Sequence, residues 1–99
     1  MTLKKLNEHT IVVDDIENIS LICEVLSNKT RLRIIEMVKS GIKDLDTLAL
    51  ELNLSKGNLS TQIKKLERAG IITSKYVPGE KGVKKIIFLN IKEIKIKLD

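Results

Sequence analysis

Residues 44–66 read DLDTLALELNLSKGNLSTQIKKL (Asp44–Leu66), and two helical periods meet inside this stretch. Leu45, Leu48, Ala49 and Leu52 recur at helical spacing behind Asp44, a residue suited to N-capping. Asn53-Leu54-Ser55 breaks the period. Leu59, Ile63 and Leu66 then recur at i, i+4 and i+7 behind Ser55, a second N-cap. Two short helices joined by three residues have the spacing of a helix-turn-helix, in which the first helix lies across the second and lets it project. Leu48 and Leu52 are expected to pack on Leu59 and Ile63 and fix that angle.

The side of the second helix opposite Leu59, Ile63 and Leu66 centres on Gly57, Thr61, Lys64 and Arg68, flanked by Asn58, Ser60 and Lys65. No acid occurs between Ser55 and Lys65; Glu67 is the first carboxylate. This face is small and hydrogen-bonding toward the N-terminus and cationic toward the C-terminus. Short polar side chains let a helix axis approach base edges, and longer cationic ones reach phosphates. Gly57 costs up to about 1 kcal/mol relative to alanine in a helix interior, and close approach to a duplex accounts for it.

Working outward, Ile16, Ile19, Ile22, Cys23 and Leu26 form one stripe of a helix capped by Asp14 or Asp15, with Cys23 read as a small buried hydrophobe or, if the first helices meet across a dimer, as an interchain disulfide or redox switch. A helix from about Lys29 turns Leu32, Ile34, Ile35 and Val38 inward and ends at Ser40-Gly41. Arg31 and Arg33 open it: Arg31 is read either as a phosphate contact or as an intramolecular partner, Arg33 as a surface residue. After Gly70 the period changes. Ile71–Val77 and Val83–Leu89 read as strands around a Pro78–Gly82 turn, and Ile94–Leu98 alternates as a strand. Thr10–Asp14 is a further short strand, and residues 1–9 form a polar, flexible tail. The expected fold is mainly α with a small β-sheet (α+β), a winged helix-turn-helix in the order β-α-α-α-α-β-β-β, with residues 10–99 as one domain. The wing tip bears Lys81, with Lys84 and Lys85 on the returning strand, placed to touch a phosphate backbone or a minor groove.

The charge balance agrees with this placement. Residues 1–53 carry 7 Lys+Arg against 9 Asp+Glu, and residues 54–99 carry 11 against 4. A basic half points to an anionic polymer. Two aromatic residues, Tyr76 and Phe88, are too few for stacking on single-stranded nucleic acid. One cysteine and one histidine, Cys23 and His9, exclude an intrachain disulfide and any metal site built on paired cysteines or clustered histidines. No Ser/His/Asp set or glycine-rich phosphate loop is present, so an enzyme is not expected. With no signal peptide and no long apolar run, a cytoplasmic, nucleoid-associated protein is expected.

The strings LSNKTRLRIIEMV (Leu26–Val38) and LALELNLSKGNLSTQIKKLERAGIITSKYV (Leu48–Val77) closely resemble the ArsR-type (arsenic-repressor-like) winged helix-turn-helix regulators, over about residues 21–90. The tail from Gly79 to the final Ile-Lys-Ile strand is similar to a compact archaeal subgroup. The resemblance implies a homodimer, a recognition helix at Ser55–Ala69, and DNA contacts from Lys56, Gly57, Ser60, Thr61 and the wing (residues 78–83). The chain departs from the metal-sensing members. Their paired cysteines would fall at Leu45–Glu51, where there is none, and the ligand-bearing C-terminal helix is replaced by a strand. Neither a metal nor another cofactor is therefore expected, and no small-molecule effector is indicated.

The full expectation is a sequence-specific double-stranded DNA-binding transcriptional regulator. Its contacts are Lys56, Gly57, Asn58, Ser60, Thr61, Lys64, Lys65, Arg68, Lys81 and Lys84. It dimerises through the first helix and the strands at Thr10–Asp14 and Glu93–Leu98. The rivals are a winged-helix protein–protein module, which calls for an apolar or acidic outward face, and a non-specific chromatin-like DNA binder.

Overall fold

The computed structural model describes residues 4–7 and 9–99. Along the chain run β1 (Lys4–Asn7), β2 (Thr10–Val13), α1 (Ile16–Leu26), α2 (Lys29–Lys39), α3 (Leu45–Leu52), α4 (Lys56–Arg68), β3 (Ile72–Gly79), β4 (Gly82–Leu89) and β5 (Glu93–Ile96). From Thr10 onward this is the expected α+β order. β1 is additional: part of the segment expected as a polar tail pairs antiparallel with β2. Edge pairing through the backbone does not need the apolar alternation by which strands are recognised in sequence.

Cap chemistry sets the helix boundaries. Asp15, Asn28, Asp44 and Ser55 stand in extended backbone, and each side chain accepts the N–H three residues on. Each such cap is worth about 1 kcal/mol. α2, α3 and α4 end on one device. Gly41, Asn53 and Gly70 take φ of 111°, 54° and 78°. The next N–H then reaches back: Ile42 to the Met37 carbonyl, Leu54 to Ala49 and Ile71 to Leu66, at 2.9, 3.0 and 3.1 Å. This is the Schellman closure, which satisfies carbonyls the helix end leaves over. Asn53 manages it without being glycine because asparagine tolerates left-handed backbone.

The core gathers Ile22 and Val25 of α1, Ile34 and Val38 of α2, Leu48 and Ala49 of α3, and Leu59, Ile63 and Leu66 of α4 against Ile71, Ile72 and Ile87 of the hairpin. Leu52 is half-buried against this cluster. Two sheets flank the helices. β3 and β4 form the hairpin, and β1-β2-β5 form a terminal sheet in which β2 and β5 run parallel. Ile11 and Val13 of β2 close the core from that side.

Several local expectations are corrected. The buried stripe of α1 is Asn18, Ile22 and Val25, whereas Ile16 is 83% exposed and Cys23 is exposed. Apolar residues occur on most sides of this helix, and Ile16 and Cys23, seven apart, share the side away from the core. Leu32, expected inward, is 45% exposed, because α2 buries Arg31, Ile34 and Val38. The hairpin turn is tighter than the expected five residues. Pro78 pairs with Val83 and Gly79 with Gly82, leaving Glu80-Lys81 at the tip. The terminal strand ends at Ile96, two residues before Leu98. Among the described residues, no helix is long and apolar enough to cross a membrane.

Candidate nucleic-acid interface

α4 buries Leu59, Ile63 and Leu66 completely, at 0% exposure. Each contributes roughly 1.5–3 kcal/mol by leaving water, enough to fix the rotation of the helix. The opposite face is thereby turned to solvent. Lys56, Gly57, Asn58, Thr61, Lys64 and Arg68 are exposed, with Ser60 and Lys65 half-buried at the margins. A Cβ at Gly57 would meet no atom within 4 Å beyond its chain neighbours and its own helix backbone, so no packing contact requires a glycine there.

The polar groups on this face are partly committed. The Thr61 hydroxyl donates to the Gly57 carbonyl at 3.1 Å, so its oxygen is left free to accept only. The Gln62 amide donates to Asn58 Oδ1 at 3.2 Å, and Gln62 Oε1 accepts from Arg31 at 2.8 Å. Arg31 is 4% exposed, and its Nε and Nη2 also donate to the Val25 and Glu24 carbonyls at 2.6 and 3.1 Å. The choice left open for Arg31 falls to the intramolecular role. It closes the C-terminal carbonyls of α1 and, through Gln62, steadies Asn58 on α4. Arg33 is exposed, as expected.

The wing rises beside α4. Lys81 lies at its tip and is exposed, as is Lys84. Lys85 points back, its ammonium 3.5 Å from the Glu67 carboxylate, which also accepts from Ser74. An isolated bridge between Asp44 and Ile86 ties β4 to the start of α3, and the Ile87 N–H donates to the Lys43 carbonyl at 2.8 Å. Asp44, Asp46, Lys56, Ser60, Lys64, Tyr76, Val83 and Lys84 therefore border one concave surface between α3, α4 and the wing.

Sequence reasoning missed the two aspartates in this surface. Lys56 pairs with Asp46 at 2.9 Å, and Lys84 lies 3.6 Å from Asp44. Pairing with Asp46 holds the Lys56 ammonium above the usual lysine range. Hydrogen bonds from the Thr47 hydroxyl and N–H hold the Asp44 carboxyl below its ordinary value, and Lys84 adds to this. Asp44 was recognised as a cap, but its second partner lies forty residues away, and no local pattern reports such a pair. Tyr76 and Val83, 69% and 72% exposed, were likewise not singled out.

Residues 28–74 match the model of the arsR family of bacterial regulatory proteins. A possible transcriptional regulatory protein (fragment 1–100) from Mycobacterium bovis superposes with a TM-score of 0.63 at 15% identity, covering 75% of each chain. A transcriptional regulator homologue from Pyrococcus horikoshii OT3 gives 0.61 at 23% identity, covering 75% of this chain and 76% of that one. A possible transcriptional regulator from Methanosarcina mazei Go1 gives 0.58 at 20% identity, covering 78% and 68%. No curated protein matches. The arsR-family match falls on α2, α3, α4 and the start of β3 and so spans the whole helix-turn-helix; the chain carries an ArsR-like winged helix-turn-helix, and the matched family is one of regulatory proteins.

Proposed function

We propose that this protein is a sequence-specific transcriptional regulator that binds double-stranded DNA as a homodimer, with residues 55–69 in the major groove and the wing, residues 78–83, on the backbone or the adjacent minor groove. The observation that carries this reading is the outward face of α4, small at Gly57, hydrogen-bonding at Asn58, Ser60 and Thr61, and cationic at Lys64, Lys65 and Arg68. An apolar or acidic face would have favoured a protein–protein module. Gly57, Ser60 and Thr61 permit close approach, while Lys56, Lys64, Lys65, Arg68, Lys81 and Lys84 supply phosphate contacts.

A twofold dimer would set two recognition helices about 34 Å apart, one turn of the duplex. Support for dimerisation comes from apolar side chains left outside the core at the places expected to pair. Ile16 on α1 is 83% exposed, and Ile96 and Leu98 at the end of the chain are 43% and 87% exposed.

Selection of bound duplexes from a random pool, followed by binding measurements at several salt concentrations, tests the proposal. A pseudo-palindromic consensus is expected, with affinity falling steeply as salt rises. Thr61→Ala or Ser60→Ala should relax base preference, whereas Lys64→Ala or Lys65→Ala should weaken all duplexes alike. Equal affinity for a scrambled duplex would make the protein a non-specific binder, and four variants with one common effect would remove the division between readers and anchors.

A further inference from the structure

Away from the α4 face, the α1–α2 corner and the segment entering β5 enclose an open hollow of about 710 Å³. Leu26, Ile35, Ile91 and Ile94 are among the apolar residues that line it, with Leu32 at 45% exposure. This size and apolar character are those of small-molecule pockets, which run to roughly 300–1,000 Å³ with a few placed polar groups. The polar groups here have one sign. Lys39, Lys43 and Lys92 line the hollow, and no carboxylate does.

Nor are these ammonium groups neutralised elsewhere: among the described residues, no ion pair involves any of the three. The Lys43 ammonium instead sits 5.2 Å from the centroid of the Phe88 ring, which also borders the hollow, and Lys75 approaches the same ring at 5.6 Å. Two cations on one ring hold positive charge at this wall without a counter-charge. An apolar trough edged by uncompensated lysines is complementary to an amphiphile with an acyl chain and an anionic head. A second copy of the chain fits it poorly. A twofold axis through the hollow would bring the three lysines toward their own images, and like charges brought together oppose association.

We propose that this hollow is a binding site for a free aliphatic carboxylate, its chain lying between Ile35 and Ile94 and its head drawn to Lys39, Lys43 and Lys92. The proposal is independent of DNA binding. Titration of the full chain with sodium decanoate, followed by calorimetry and amide chemical shifts, tests it. Saturable binding is expected, with shifts at Leu32, Ile35, Lys43 and Ile94. Decanol, which lacks the charge, and acetate, which lacks the chain, should each bind at least about tenfold more weakly. Lys43→Gln with Lys92→Gln should weaken decanoate about tenfold. Leu32→Glu, at a half-exposed position that the core does not need, should abolish binding with an unchanged circular-dichroism spectrum. The proposal is overturned if decanol binds as well as decanoate or if decanoate fails to saturate at millimolar concentration. It is equally overturned if phosphatidylglycerol vesicles bind and monomeric decanoate does not, or if Leu32→Glu converts a dimer to a monomer.

Discussion

α4 and α1 are both amphipathic helices, and they teach opposite lessons about reading a sequence. On α4 the apolar residues are few and fall on one side, so Leu59, Ile63 and Leu66 fix the rotation and everything opposite them is turned to solvent. On α1 isoleucines, leucines, a valine and a cysteine are spread around the helix; the core buries Asn18, Ile22 and Val25 and packs Ile19, Leu21 and Leu26 at its margin. The surplus, Ile16 and Cys23, lies outside. A face polar throughout suits a polyanion; a face that keeps an isoleucine in water suits another protein surface.

The largest effects should show that both helices anchor the core equally despite this difference. Ile63→Ala on α4 and Ile22→Ala on α1 each remove a fully buried side chain. Denaturant unfolding of each should lose about 2–5 kcal/mol. A small loss for Ile22→Ala alone would mean that α1 packs more loosely than its burial indicates.

Arg31 joins the two helices and comes next. Arg31→Met keeps the length of the side chain but leaves the Val25 and Glu24 carbonyls without their donor. A loss of about 2–3 kcal/mol is expected. Because Gln62 and Asn58 lose their support as well, base preference should also broaden. Unchanged stability would show that water replaces the guanidinium.

The α4 face is then sharpened by two substitutions of opposite sign. Lys64→Ala should lower duplex affinity about tenfold and reduce the salt slope by about one. Asp46→Asn should raise affinity by a few fold, since it frees Lys56 and removes a carboxylate from the concave surface. Two changes in the same direction would contradict the charge layout of the site.

Asp44 gives a pH dependence. Its carboxyl is held below the ordinary value, so its contribution to stability is complete above about pH 4 and is lost as pH falls through the lowered pKa. Asp44→Asn retains a capping side chain but does not titrate. The variant should show a flatter stability profile than the parent below about pH 4, by up to about 1 kcal/mol. Identical profiles would place the acid sensitivity elsewhere.

The smallest effect on the single chain is expected where α1 differs most from α4. Ile16→Ser and Cys23→Ser should change the stability of the monomer by less than about 0.5 kcal/mol. They should nevertheless weaken self-association in sedimentation experiments. A variant that clearly lowers the stability of the monomer while leaving association intact would return these residues to the core.

Legibility followed the same physics. The limits of α3 and α4 and the end of α2 could be read because Asp44 and Ser55 cap, and Gly41 and Gly70 close, through contacts within a few residues. The exposed face of α4 could be read because its period is unambiguous. Four features could not be read, each for want of a local signal. The rotation of α1 depends on which neighbours it meets. The Arg31 clamp spans thirty-one residues to Gln62. The pairs of Lys56 and Lys84 with Asp46 and Asp44 arise only when α3, α4 and the wing are brought together. β1 is held by backbone pairing, which leaves little trace in side-chain pattern.

The central claim is that the outward side of α4 meets the duplex. Amide chemical-shift mapping during titration with a selected duplex tests it most directly. The account predicts the largest changes at Gly57, Ser60, Thr61 and Lys64, smaller ones at Lys81 and Lys84, and none at Ile16 or Cys23 beyond those of dimerisation. Changes centred on α1 and β5, with α4 unmoved, would contradict it.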